Sequence, residues 1–325
     1  MGESTRRTVS RILSPGRKLK LSYRKKQRIM ENKTNDRRSF LMIISSMLIF
    51  GTIGVFRRYI PVSSAFLAFS RGFLGGLCIL LFLWLKKKST AKKLPRRTLL
   101  GLIVSGALMG INWILLFEAY NHTTVAVATL CYYMQPTIVT LLSPLIFREK
   151  LTVRKSICAI VAVVGMVLVS GVIGNGGQGG SLRGVLLGLG AAVFYSSVVI
   201  MNKLIRSIDA YPKTIVQLLS AGLVMVPYLL LTGSFRVEGF TPAVIALLLV
   251  VGLVHTGLAY VLYFGSMDGL HVQTVAILSY IDPVSALLFS AVLLREPLTL
   301  WGIIGAVMII GSAIVSELRG REAAE

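Results

Sequence analysis

Apolar residues run in long blocks along this chain, and charge is confined to the gaps between them. From Thr98 to Phe147 the one charged side chain is Glu118, and from Thr214 to Leu294 there are four. A helix crossing a bilayer needs roughly 20 apolar residues, each rising ~1.5 Å. Ten segments follow that pattern: 40–56, 62–85, 99–120, 124–147, 155–174, 183–202, 212–232, 241–266, 272–294 and 300–317. Blocks this long and this closely spaced do not wrap into one water-soluble core. The pattern therefore predicts an all-α polytopic membrane protein with ten transmembrane helices. Connections are short, apart from a basic loop at Lys86–Arg97 and the glycine-rich Gly174–Gly180, GNGGQGG, which falls almost midway between the first and last blocks.

Composition agrees with that class. Of 325 residues, 54% are hydrophobic and 15% are charged, at a mean hydropathy of +0.75, whereas soluble domains carry about a quarter charged residues. Cys78, Cys131 and Cys158 all lie inside apolar blocks, so no disulfide framework is indicated. The net charge of +22 could suggest a nucleic-acid partner, but its placement argues for lipid. Thirteen of the 35 Lys and Arg fall in residues 1–38 and seven more in Lys86–Arg97. Basic clusters beside apolar helices mark the cytoplasmic face, and a basic tail is attracted to anionic lipid. With ten spans and the N-terminus inside, residues 148–155, the 203–213 loop and the C-terminus add four, three and two cations to the inner side. The outer side receives Arg57, Arg58, Arg183, Arg236 and Arg295. Both termini are thus expected in the cytoplasm of a plasma-membrane protein whose partners are the lipid bilayer and a small-molecule solute, with no nucleic acid. No cleavable signal peptide is expected, because polar residues 1–38 precede the first apolar block. The stretch MENKTNDRRSF from Met30 would itself serve as a start.

The chain also repeats itself. Shifted by 147 residues, Gly110–Thr152 superposes on Gly257–Thr299, and Leu115, Phe117, Val125, Tyr133, Pro136, Leu141, Ser143, Arg148, Glu149, Leu151 and Thr152 meet identical residues. A shared proline and a shared Arg-Glu-x-Leu-Thr run at one offset are more than chance likeness between apolar helices. Each copy holds five of the ten blocks, an odd number, so the second copy must enter the membrane in the opposite sense. Inverted repeats of this kind belong to alternating-access transporters, with the substrate at the midplane between the halves. The expected organisation is a basic tail (1–38), a first repeat (39–174), a glycine-rich linker (175–182), a second repeat (183–317) and a C-terminal tail (318–325). Because both repeats lie on one chain, a monomer is expected to suffice.

At FEAYNHTTVAVATLCYYMQP and SYIDPVSALLFSAVLLREPLTLWGIIGAVMIIG, with a proline in the fourth helix, a glutamate just past its end and a glycine-rich fifth helix, the chain resembles the EamA domain. Two tandem copies would make it similar to ten-helix members of the drug/metabolite transporter superfamily over residues 40–317. The resemblance implies export of amino acids, metabolites or drugs and leaves the substrate open.

Ionisable groups inside spans are costly and are functional candidates by default. Asp282 lies about ten residues into its block, immediately before Pro283, and its repeat mate is Gln135–Pro136. Proline removes a backbone donor and crowds the carbonyl four residues back, so freed carbonyls must face protein or a wet cavity. These polar-proline pairs are expected to line a central site, with Asp282 a candidate for proton coupling; the alternative is that they fix helix packing. Arg71, equally deep, could grip a substrate carboxylate through its two-pronged guanidinium or neutralise Asp282. Trp113 and Tyr260 are repeat mates, and Tyr133 and Tyr280 flank the polar-proline pairs, as expected for the lining of a cavity that takes an amphipathic solute. Tyr195, Ser196, Ser45 and Ser46 are weaker lining candidates. Glu118 is expected at the rim, Glu149 and Glu296 as anchors at helix ends, and His255 as a hydrogen-bonded packing residue. The glycine pairs Gly72/Gly76, Gly106/Gly110 and Gly184/Gly188 are expected to let helices approach closely.

No Walker loop, CxxC, HExxH or clustered His and Cys is present, so neither ATP-driven pumping nor a metal or other cofactor is indicated. A lone mid-membrane carboxylate is too little for catalysis, and no enzyme activity is expected. The expected function is secondary transport of a small amino-acid-like or amphipathic metabolite. The competing reading is a receptor or assembly protein that keeps a transporter-like bundle without flux.

Overall fold

The computed structural model describes residues 37–87, 94–148, 152–169, 181–205, 208–233, 235, 241–267, 270, 274–275 and 278–318. The tail before Arg37, half of the Lys86–Arg97 loop, Glu149, the Gly174–Gly180 stretch and the chain after Leu318 lie outside these residues.

The described chain is helical, with no strand among the described residues. We number the helices α1 (Arg37–Arg58), α2 (Ser64–Leu85), α3 (Arg96–His122), α4 (Val125–Phe147), α5 (Val153–Val169), α6 (Leu182–Leu204), α7 (Ala210–Leu231), α8 (Pro242–Ser266), α9 (Ile281–Leu293) and α10 (Leu300–Leu318). Seven of them, α1 to α4 and α6 to α8, are long and apolar enough to cross a membrane, and Ile281–Leu293 and Leu300–Val315 are shorter apolar helices. Helix starts coincide with small hydroxyl residues. Ser63, Thr124, Ser181 and Thr241 each accept a hydrogen bond from a backbone N–H in the first turn of α2, α4, α6 and α8, which satisfies donors the helix itself leaves free. Large apolar side chains such as Trp84, Leu145 and Leu231 point outward, as a lipid-facing surface requires.

Helices from the two sequence repeats interleave. The first-repeat helices α2 and α3 pack on α7, α3 and α4 pack on α6, and α5 packs on α10. Glycine makes the closest approaches possible. A Cβ added at Gly72 of α2 would stand 2.7 Å from the Leu218 carbonyl oxygen of α7, and one added at Gly165 of α5 would stand 2.8 Å from the Gly305 oxygen of α10. In a membrane, where lipid offers no hydrophobic gain over another helix, such close backbone contact is a main source of association. Buried amides reinforce it. Asn112 Nδ2 of α3 donates to the Ala191 carbonyl of α6 at 2.6 Å, and Gln217 Nε2 of α7 donates to Ser105 Oγ at 2.6 Å and to Asn202 Oδ1 at 2.9 Å.

Two helices expected to be continuous are interrupted at their prolines. In α4 the helix turns at Tyr133 (φ −74°, ψ 4°) and Met134 (φ −68°, ψ −10°) and restarts at Gln135. Before α9 a turn at Ser279 and Tyr280 (φ −73°, ψ −6°) precedes the restart at Ile281. The cause is common to both: proline cannot donate to the carbonyl four residues back, which leaves the turn before it without a helical bond. The helix ends match as well. Arg148 (φ 54°) after α4 and Arg295 (φ 56°) after α9, one repeat apart, both take the left-handed conformation that commonly ends a helix. The sequence repeat is thus also a repeat of backbone irregularities. A third irregularity lies in α8, where Val250–Leu258 is wound as a π-helix, a form that recurs at functional sites.

Candidate functional site

The interruptions of α4 and α9 meet at a cavity of about 630 Å³ whose walls come from both repeats. Of the residues singled out from the sequence, Arg71, Trp113, Tyr133, Gln135, Pro136, Tyr260, Tyr280 and Asp282 line it. Pro283 does not; it is buried beside the lining within α9.

Asp282 and Tyr133 join the two repeats directly. The Tyr133 hydroxyl donates to Asp282 Oδ2 at 2.6 Å, the length of a charge-assisted O–H···O⁻ bond. Asp282 stands in the first turn of α9, where the helix dipole favours negative charge. Two carbonyls beside the breaks also have hydroxyl neighbours. Ser196 Oγ lies 2.7 Å from the Ala192 carbonyl of its own helix and 3.2 Å from the Gln135 carbonyl, and Ser285 Oγ donates to the Asp282 carbonyl at 2.9 Å. Ser196 is therefore a buried brace and not a lining residue. The same holds for Ser46, which donates to the Ala259 carbonyl at 2.8 Å, while Ser45 is exposed on the outside of α1.

Arg71 and Asp282 share the cavity but do not form an ion pair within 4.0 Å. Arg71 is held instead from α8 and α3. Its Nε donates to Thr256 Oγ1 at 3.0 Å, and its guanidinium lies 4.3 Å from the centre of the Trp113 ring. The π-helical turn makes that hold possible, since Thr256 Oγ1 itself donates to the Val251 carbonyl five residues back, at 3.1 Å. Nη1 and Nη2 of Arg71 make no hydrogen bond among the described residues. The neighbouring His255 faces away, with Nε2 2.8 Å from Thr52 Oγ1 at the turn in α1 and its ring edge-on to Phe56 at 4.6 Å. This is a packing role.

Aromatic rings form most of the remaining wall. Tyr132 and Tyr195 stack at 5.2 Å and 22°, Phe50 meets Tyr260 edge-on at 5.3 Å, and Tyr133 lies 6.4 Å from Tyr280. Sequence reasoning gave Tyr195 little weight and passed over Phe50, Tyr120, Thr129 and Lys155, all of which line the cavity. Lys155 counted only toward the basic bias of its loop, although it stands in the first turn of α5.

Glu118 lies off the cavity. It accepts from Ser64 Oγ at 2.8 Å and Asn121 Nδ2 at 3.1 Å, with His122 Nε2 at 3.2 Å. At the same end of the bundle, Glu296 does more than terminate its helix. Its Oε1 is 3.1 Å from Arg58 Nη2, and its Oε2 accepts from the Val125 backbone N–H at the start of α4 at 2.9 Å. Arg58 Nη2 also donates to the Thr123 carbonyl at 2.8 Å. One carboxylate thus fastens the α9–α10 junction of the second repeat to the end of α1 and the α3–α4 junction of the first.

The EamA-like transporter family matches residues 37–171 and again residues 182–317. The chain belongs to the EamA-like transporter family. Relatives of this EamA protein include the uncharacterized transporter YxxF of Bacillus subtilis, 28% identical over 86% of this chain and 89% of that one. An uncharacterized transporter of Archaeoglobus fulgidus is 28% identical over 84% and 94%, and the uncharacterized inner membrane transporter YicL of Salmonella typhimurium 26% over 89% and 98%. A solved crystal structure shares the fold at a TM-score of 0.63 and 20% identity, covering 88% of this chain and 99% of that one. By family the chain is a multi-pass membrane transporter of two tandem repeats, which implies a small-molecule solute.

Proposed function

We propose that this chain is a plasma-membrane secondary transporter, working as an exporter of amino-acid-like or amphipathic metabolites by alternating access. In this reading α1 to α5 and α6 to α10 are inverted five-helix repeats, all ten helices span the bilayer, both termini are cytoplasmic and a monomer suffices. The observation that carries it is the cavity between the repeats, lined at once by the interrupted α4 and α9 and fastened at one end by Arg58 and Glu296. A site that belongs to both halves changes its exposure when the halves rock, whereas a site inside one half does not. In the same reading Asp282 couples proton movement to that rocking, a role supported by its bond from a hydroxyl of the opposite repeat. Time-dependent, saturable counterflow of a solute by the purified chain in liposomes tests the proposal. Saturable binding without counterflow would make the protein a receptor.

A further inference from the structure

Among the described residues, the charged groups lining the cavity are Arg71, Lys155 and Asp282. Two of them are cations. Asp282 has a partner in Tyr133, whereas the terminal nitrogens of Arg71 and the Nζ of Lys155 make no hydrogen bond or ion pair among the described residues. Arg71 is a buried residue, and its unused donors, which face the cavity, must be satisfied there by water or a ligand. Arg71 is also oriented for a particular partner. Thr256 and Trp113 fix its Nε edge and its face, which leaves Nη1 and Nη2, a pair of donors whose spacing matches the two oxygens of a carboxylate. The half-helix restarting at Gln135 begins on the same wall, since Gln135, Pro136 and Thr137 all line the cavity, and a helix N-terminus favours negative charge. Trp113, Tyr132 and Tyr195 supply flat apolar surface for the rest of a ligand.

We infer that the cargo is an organic carboxylate with an aromatic or similarly flat apolar body and a net negative charge. Its carboxylate lies across Nη1 and Nη2 of Arg71, and Lys155 draws it in from the α5 side of the cavity. This assignment rests on the transport reading and narrows its solute to one charge class. At about 630 Å³ the cavity is of the size that holds ligands of metabolite to drug dimensions.

The test uses the full chain in liposomes with three probes that share one body and differ in charge: indole-3-acetate, indole-3-acetamide and tryptamine. The acid should bind about tenfold or more tightly than the amide and the amine, as expected for gaining hydrogen bonds to a charged group. Arg71→Gln should erase that preference and Arg71→Lys should restore part of it. Lys155→Gln, at a half-exposed position where folding is not at stake, should weaken binding of the acid a few-fold and reduce its sensitivity to salt. Equal or tighter binding of the amide or the amine, no binding by any of the three, or an unchanged preference in both Arg71→Gln and Lys155→Gln would overturn the assignment. Counterflow then separates the two claims. Flux of tryptamine without flux of the acid overturns the charge assignment and leaves transport standing. Selective binding of the acid without counterflow keeps the charge assignment and removes transport.

Discussion

If the repeats rock about the central cavity, the contacts that fasten one end must break in every cycle, and weakening them should shift the resting population. Glu296 is the most economical place to do so, because one side chain holds three elements. Its ion pair with Arg58 is partly open to solvent, with side chains 33% and 11% exposed, so it contributes at most about 1 kcal/mol. Its bond from the Val125 N–H is shielded and charge-assisted, a class of interaction that contributes about 1.5–3 kcal/mol. Glu296→Ala should therefore cost the closed form about 1.5–4 kcal/mol, a shift of about tenfold or more in the ratio of closed to open. Glu296→Gln keeps an acceptor for Val125 and should fall between the two. The assay is labelling of a cysteine placed at Thr129, a lining residue one helical turn beyond Val125, in a chain whose three native cysteines are replaced. A membrane-impermeant thiol reagent is added on the side of the α3–α4 junction. Labelling should be slow with Glu296, fastest with Ala and intermediate with Gln. Equal labelling rates in all three, with the protein inserted and equally abundant, would refute the idea that this contact closes the cavity.

Three further outcomes follow from the geometry. Tyr133→Phe removes the hydrogen bond to Asp282 Oδ2; initial counterflow rates should drop about tenfold at equal abundance, and unchanged rates would reduce the pair to packing. Asp282→Asn should abolish any dependence of flux on an imposed proton gradient while leaving solute exchange; a gradient response that survives would remove Asp282 from coupling. Pro283→Ala restores a backbone donor and should straighten the start of α9, lowering flux without loss of insertion, and flux equal to the parent would show that the interruption is not needed for transport.

Much of the architecture can be read from the sequence because its causes are local. Blocks of apolar residues act within a turn or two, so the helices follow from short stretches of chain, and the polar-proline pairs marked where freed carbonyls would lie, although both helices were expected to run on through them. The glycine pairs were legible for the same reason, since a missing side chain is visible without knowing the neighbour. Pairings between distant segments were not legible. Arg71 and Asp282, as deep opposite charges, invited the expectation that they neutralise each other, yet Thr256 and Trp113 take the first and Tyr133 the second. Thr256 reaches Arg71 from a π-helical turn, and no apolar pattern reports a change of that kind in helix winding. Glu296 likewise read as a local helix anchor, because nothing near it in sequence reveals that Arg58, 238 residues away, is its neighbour.

The repeats agree and differ in distinct kinds of residue. What they share sets the backbone. Pro136 and Pro283 interrupt their helices, Tyr133 and Tyr280 sit at the turns, and Arg148 and Arg295 close the helices in the left-handed conformation. What they do not share sets the charge of the cavity. At the same offset of 147, Arg71 meets Leu218, Lys155 meets Gly302 and Asp282 meets Gln135, so every charged lining residue among those described faces an uncharged mate. A strictly symmetric pair of repeats would place each charge twice, once per half, and like charges crowded into one low-dielectric cavity repel strongly. Divergence at these three positions leaves one copy of each charge in a cavity whose two walls are otherwise built alike. Under the alternating access proposed above, symmetry in the backbone would let the two halves exchange roles during rocking, and asymmetry in the lining would decide what is carried.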